Sequence, residues 1–107
     1  MKQNWQREAV RIHEGVVRLK GRPPWTDDDR RFLALALCGE VGELANVIKK
    51  DWRGDSGDRT EDRRSELADV RIYLELLAAS YGVDLDEACE AKTLELYERW
   101  PHLKPAA

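Results

Sequence analysis

Apolar residues recur at intervals of three and four along the whole chain, and nowhere does the alternation of a half-buried strand develop. That periodicity confines the chain to helices packed on helices. The first helix is expected over about residues 3–20, with Trp5, Ala9, Ile12, Val16 and Leu19 as its stripe. "GRPPWT" breaks it with Gly21, Pro23 and Pro24. Thr26 caps the second helix, where Asp27, Asp28 and Asp29 suit the positive end of the helix dipole; this helix runs to about Lys50. "DWRGDSGD" reads as a loop, and a third helix spans about residues 60–81 with Gly82 as its C′ residue. "DLDE" opens a fourth helix in the manner of a capping box, and Pro101 stops it. The expected architecture is all-α: four helices forming one domain over residues 1–107.

Composition narrows the partners. Charged residues make up 36% of the chain, yet the net charge is only -3, so there is no basic surface for duplex nucleic acid. No apolar run approaches the roughly 18 residues that a membrane helix needs. The polar start "MKQNWQREAV" lacks the apolar core of a secretory signal. Cys38 and Cys89 are expected to be reduced thiols within the core of a cytoplasmic protein.

Two pairs of carboxylates disturb the pattern. On the second helix, Leu33, Leu37, Leu44, Val47 and Ile48 form the stripe, with Glu40 in its middle and Glu43 at its edge. On the third, Leu67, Val70, Leu74, Leu77 and Tyr81 share an arc, while Arg64, Arg71 and Glu75 lie opposite and are expected to be solvated. Glu66 and Asp69 fall beside the apolar arc, among Tyr73, Leu76 and Leu77. The i, i+3 spacing stacks each pair on one face. Four carboxylates at a core seam must either gain protons or be neutralised by cations, and hard divalent ions prefer such oxygen ligands. The plainer alternative is a half-exposed acidic edge.

The fourth helix brings the opposite sign. Lys92 and Arg99 lie within the apolar arc of Leu85, Ala88, Cys89, Leu96 and Trp100. They either pair with the inward carboxylates, snorkel outward, or remain for phosphate oxygens, which suit the planar fork of arginine. Gly39 and Gly42 lie on the back of the second helix with Phe32, Leu35 and Asn46, where small residues admit another helix, from this chain or from a second copy. Trp52, just past the second helix, is large enough to anchor the loop, and His13 is read as structural.

The segments "GEVGELANVIKKDW" and "ELADVRIYLELLAASYGVDL" resemble the all-α NTP pyrophosphatase superfamily, the MazG-like and dCTP pyrophosphatase-like proteins, over about residues 33–102. The shared motif is Glu-x-x-Glu followed, after a gap, by Glu-x-x-Asp. The resemblance implies that Glu40, Glu43, Glu66 and Asp69 bind Mg²⁺, with Mn²⁺ able to substitute. Lys92, Arg99 and Pro101 match the family's last helix. Gly39 stands where many MazG members carry Glu, as in the dCTP pyrophosphatase-like branch, and Leu96 stands at the family's Asn position. The resemblance further implies a helical-bundle homo-oligomer, dimer or tetramer, with sites near subunit contacts.

The leading expectation is a Mg²⁺-dependent nucleoside triphosphate pyrophosphohydrolase that releases a nucleoside monophosphate and pyrophosphate in nucleotide-pool housekeeping. Glu43 is the expected general base, and Lys92, Arg99 and Trp52 are the expected substrate contacts. The alternatives are a phosphoribosyl-ATP pyrophosphohydrolase and a non-catalytic, metal-binding oligomerisation module. A di-iron bundle is disfavoured because the Glu-x-x-His motif is absent, and the loop acids lack EF-hand spacing.

Overall fold

The computed structural model describes residues 4–19 and 25–106, with the backbone alone at residues 17–19. Four α-helices account for nearly all of this: α1 (Trp5–Leu19), α2 (Asp27–Trp52), α3 (Thr60–Ser80) and α4 (Leu85–Arg99), followed by a 3-10 turn, Pro101–Leu103. The expected breaker at Gly21, Pro23 and Pro24, and the contribution of Leu19 to the α1 stripe, lie outside the described residues.

The helix starts follow from local chemistry. The Asp29 backbone N–H donates to Thr26 Oγ1 at 3.1 Å, and the Thr26 N–H donates to Asp29 Oδ2 at 3.1 Å, a reciprocal box that satisfies two otherwise orphaned donors. Asp84 caps α4 by accepting from the Glu87 N–H at 3.2 Å. Gly82, at φ +69°, provides the left-handed residue just beyond α3.

α2 and α3 form an antiparallel hairpin, and α1 packs on α3. At one end of the hairpin, the Arg30 Nε and Nη2 donate to Ser80 O at 2.9 and 2.6 Å, and the same guanidinium lies 5.1 Å from the Tyr81 ring centre. At the other end, Asp51 accepts from Arg59 at 3.1 Å and Arg63 at 2.6 Å. Between these ties, each step along α2 is matched by a step back along α3. The apolar core is Ala9, Leu33 and Leu76, flanked by Val10, Trp25, Tyr73 and Leu77.

Several residues sit differently from the helical-wheel expectation. Leu67, Leu74, Tyr81 and Ile48 are exposed, whereas Glu75 is buried. Glu75 faces α1, where Gln6 Nε2 donates to it at 3.3 Å, and Arg71 lies 3.6 Å away. The wheel could not reveal this, because α1 covers the flank of α3 that looked solvated. Cys38 and Cys89 are free thiols, as expected, but both are exposed rather than in the core.

α4 stands apart. Its main packing is against the 3-10 turn at its own end. The radius of gyration is accordingly 17.4 Å, against about 13 Å for a compact chain of this length. The backs of Gly39 and Gly42 face open space, with no heavy atom within 4 Å of an added Cβ. Among the described residues, no helix is long and apolar enough to cross a membrane.

Leu33 is fully buried at the joint of α1, α2 and α3. Leu33→Ala is expected to lower stability by about 3 kcal/mol through lost burial and a residual cavity, measured by urea unfolding.

Candidate active site

The hairpin's seam carries the acidic residues. On α3, Glu66, Asp69, Tyr73, Leu76 and Ser80 follow one another at three- and four-residue steps and are all buried or half-buried. The facing line on α2 runs Asp29, Leu33, Leu37, Glu40, Leu44 and Val47. The carboxylates thus continue the core line toward the loop end of the hairpin. Carboxylate oxygens of Glu40, Glu43 and Glu66 lie within 4.8 Å of one another. Glu43 is the exposed member, while Glu40 and Glu66 are half-buried. Oε2 of Glu40 and Oε2 of Glu66 are each shut off from solvent without a hydrogen-bond partner.

The electrostatics follow from that crowding. Burial, then the charges of Glu43 and Asp69, pushes the Glu40 carboxyl up to about 6 from an ordinary 4.5. Burial and the neighbouring Glu43 also raise Glu66. Asp69 stands outside the triplet of converging oxygens but acts on both glutamates through its charge.

This donor set fits a hard divalent cation. Its ligands are oxygen only, two of the oxygens are buried without partners, and their spacing lets modest side-chain rotations converge them on one ion. The sequence placed Glu40, Glu43, Glu66 and Asp69 in one group; the structure brings the first three into direct proximity and sets Asp69 beside them.

Lys92 and Arg99 are elsewhere. Both sit on α4, where Lys92 lies 3.5 Å from Glu95 and Arg99 lies over the Trp100 ring at 5.3 Å. Within one chain, α4 does not carry them to the carboxylates. Trp52 ends α2 and is 86% exposed.

The sequence reading missed a groove. About 910 Å³ of space opens between α1 and the hairpin, walled by Trp5, Ile12, His13, Phe32, Tyr73 and Asp69. Its volume is that of a small-molecule site, and Asp69 belongs both to this groove and to the acidic group. The His13 ring stacks on Trp25, with centroids 5.1 Å apart and planes 4° apart. Trp25 itself has φ +63°, a left-handed conformation that costs a non-glycine residue about 1–2 kcal/mol. The available signal was the position of His13 at the border of the α1 stripe, together with Tyr73 one turn beyond Asp69.

Residues 29–104 match the family model described as the MazG nucleotide pyrophosphohydrolase domain. The chain is 40% identical over 79 residues to dCTP pyrophosphatase 1 of Rattus norvegicus, covering 66% of this chain and 45% of that protein. It is 42% identical over 77 residues to dCTP pyrophosphatase 1 of Homo sapiens, with the same coverage of each chain. It is also 33% identical over 72 residues to the Gene 37 protein of Mycobacterium phage L5, covering 64% of this chain and 63% of that protein. The chain therefore spans about half the length of the dCTP pyrophosphatases it matches. With the paired carboxylates of α2 and α3 inside the matched region, the chain belongs to the MazG nucleotide pyrophosphohydrolase domain family.

Proposed function

We propose that this chain is a divalent-metal-dependent nucleoside triphosphate pyrophosphohydrolase, cleaving its substrate to a nucleoside monophosphate and pyrophosphate in the cytoplasm. The observation that carries the reading is the convergence of the Glu40, Glu43 and Glu66 carboxylate oxygens within 4.8 Å of one another, with Asp69 acting on them from the wall of the adjoining groove. The dCTP pyrophosphatase relatives favour a pyrimidine deoxynucleotide as the first substrate to try.

Glu40, Glu43, Glu66 and Asp69 would hold Mg²⁺, with Mn²⁺ able to substitute. When bound, the metal supplies charge neutralisation for the phosphates and Lewis-acid activation of water. The residues' own contributions can be ordered by exposure. Glu40 and Glu66, with their buried oxygens, provide a fixed acidic floor. Glu43, exposed at the edge, has access to solvent, which supports a role for it in taking a proton from an attacking water. The groove of α1 and α3 would hold the nucleoside, with His13 and Tyr73 on its wall.

Lys92 and Arg99 are proposed as phosphate contacts delivered by assembly. An isolated chain leaves α4 without a helix to pack on, and it exposes Phe32, Leu35, Ile48, Leu94 and Trp100. The open glycine face of α2 adds room for a neighbouring helix. A homo-oligomer, dimer or tetramer, would cover these surfaces. Trp52, exposed at the end of α2, would then stack on a base near the subunit contact.

Hydrolysis of dCTP should yield dCMP and pyrophosphate, be abolished by EDTA, and return with Mg²⁺ or Mn²⁺. Glu66→Gln and Asp69→Asn should each remove turnover while leaving apo stability unchanged or raised, because each relieves like-charge repulsion. Chromatography of products and thermal melts check this; dCDP with orthophosphate, or activity in EDTA, would refute the mechanism.

The pH dependence has a definite sign. A folded-state pKa of about 6 for Glu40 means that the metal-free fold holds an extra proton between about pH 4.5 and 6. Apo stability from this group therefore falls as pH rises through that window, whereas metal binding, which needs the carboxylate, strengthens. Mg²⁺ affinity should weaken about tenfold per pH unit below 6 for each proton displaced. Calorimetry in buffers of different ionisation enthalpy should show proton release at pH 5 and little at pH 7.5.

Light scattering should find at least a dimer, and Gly42→Leu should weaken assembly and activity together. A fully active monomer would remove the assembly proposal.

A further inference from the structure

The apolar core lies entirely on one side of the acidic group. Leu33 and Leu76 seal the hairpin between the carboxylates and the Arg30–Ser80 tie. Toward the loop the situation is different: from residue 34 to residue 74, no described residue is fully buried. Leu44 and Val47 are only half-buried, and Val41, Ile48 and Leu67 are exposed. Fully buried apolar packing within the chain is therefore confined to the closed end of the site.

What holds the loop end is ionic and hydrogen-bonded. Asp51, in the last turn of α2, offers Oδ1 to Arg59 at 3.1 Å and Oδ2 to Arg63 at 2.6 Å. The Arg59 side chain is 13% exposed, unusually low for an arginine on a short connection. Its fork also gathers the loop backbone: Nη1 donates to Asp55 O at 3.2 Å and Gly57 O at 3.5 Å, and Nη2 donates to Ser56 O at 2.9 Å. Gly54 at φ +81° and Gly57 at φ +109° adopt the left-handed turns that bring these carbonyls round. One guanidinium thus fastens the end of α2, the loop and the start of α3.

We propose that the Asp51–Arg59–Arg63 clamp is a positioning device for the metal site, setting the separation of the two glutamate-bearing helices against their own repulsion. This inference rests on the metal-dependent reading above. Arg63 lies one turn before Glu66 on α3, and Asp51 lies eight residues, about 12 Å, beyond Glu43 on α2. With only the half-buried Leu44 and Val47 as apolar packing on α2 in this half, splaying at the loop end passes into the spacing of Glu43 and Glu66. The oxygens of Glu40, Glu43 and Glu66 need to stay close enough to share an ion, and their charges drive them apart. A planar two-pronged donor resists that motion in a way that a single ammonium does not.

Mn²⁺ titration of the purified full chain by calorimetry tests the proposal, using wild type, Asp51→Asn, Arg59→Lys and Gln6→Ala. Gln6 ties α1 to Glu75 and Val83 O, away from the clamp, so its variant reports a general loss of stability. Asp51→Asn and Arg59→Lys should weaken Mn²⁺ binding about tenfold, while Gln6→Ala, compared at a similar fall in Tm, should stay within twofold. The Mg²⁺ concentration for half-maximal hydrolysis should rise in parallel in the clamp variants, with kcat recovered at saturating Mg²⁺. Clamp variants that bind Mn²⁺ like wild type, or lose no more than Gln6→Ala, would overturn the clamp proposal alone. A wild-type chain that binds no Mn²⁺ would overturn the metal reading and the clamp with it.

Discussion

Like-charge repulsion across the α2–α3 seam is the constraint to which the rest of the structure answers. Burial first, and then the charges of their acidic neighbours, raise the Glu40 and Glu66 carboxyls. Left alone, such a hairpin would open at its middle. The hairpin is tied at both ends: by Leu33, Leu76 and the Arg30–Ser80 bonds at one, and by Asp51 with Arg59 and Arg63 at the other. The acidic group sits between these ties, where helix spacing is most restrained. The arrangement spends stability to keep an oxygen-rich group of carboxylates together.

α1 closes the other side of the problem. Its Trp5, Ile12 and His13 wall the groove that reaches Asp69. Ala9 is small enough to let α1 approach the core, and Glu75 with Gln6 supplies a polar tie on its flank. Trp25 then brings the chain into α2 in a left-handed conformation, with its ring flat against His13. That strained entry places an aromatic pair next to the groove, so the fold's one non-glycine positive φ among the described residues sits beside its candidate substrate cavity. Strain at such a position persists because the stacked ring and the Thr26–Asp29 box on either side fix the backbone.

The helices were legible in the sequence because each carries its own signals. Thr26, Asp84 and Gly82 act at short range, and the structure realises all three. The grouping of the acidic pairs was legible for a related reason: i, i+3 spacing on a seam survives any reasonable packing of the two helices. What the wheel could not supply was which neighbour covers which flank. Glu75 looked solvated until α1 was placed over it, and Leu67, Leu74 and Tyr81 looked buried but are exposed. The groove was equally invisible, since Trp5, His13, Tyr73 and Asp69 lie on two helices far apart in sequence. Arg59 escaped notice because nothing about an arginine in a Gly-Asp-rich loop announces that its fork will collect three backbone carbonyls.

The position of α4 links these observations to charge. A triphosphate is an anion, and the seam it would approach carries four carboxylates on a chain whose net charge is -3. Divalent cations would offset part of that repulsion, but the phosphates farther from the carboxylates need positive side chains of their own. Three arginines near the hairpin's loop are already committed: Arg53 to Asp55, and Arg59 and Arg63 to Asp51. Lys92 and Arg99 match the family's last-helix pattern, yet α4 leads them away from the seam of their own chain. The same helix exposes Leu94, and beyond its end Trp100 and Leu103, while α2 exposes Phe32, Leu35 and Ile48. Under the proposed assembly, one rearrangement answers both needs. Packing α4 against a second copy would remove apolar surface from water and bring Lys92 and Arg99, held in their own chain by the exposed Glu95 and by the Trp100 ring, toward the carboxylates. The acidic half of the chemistry is then a property of one chain's hairpin, and the cationic half a property of how two chains meet.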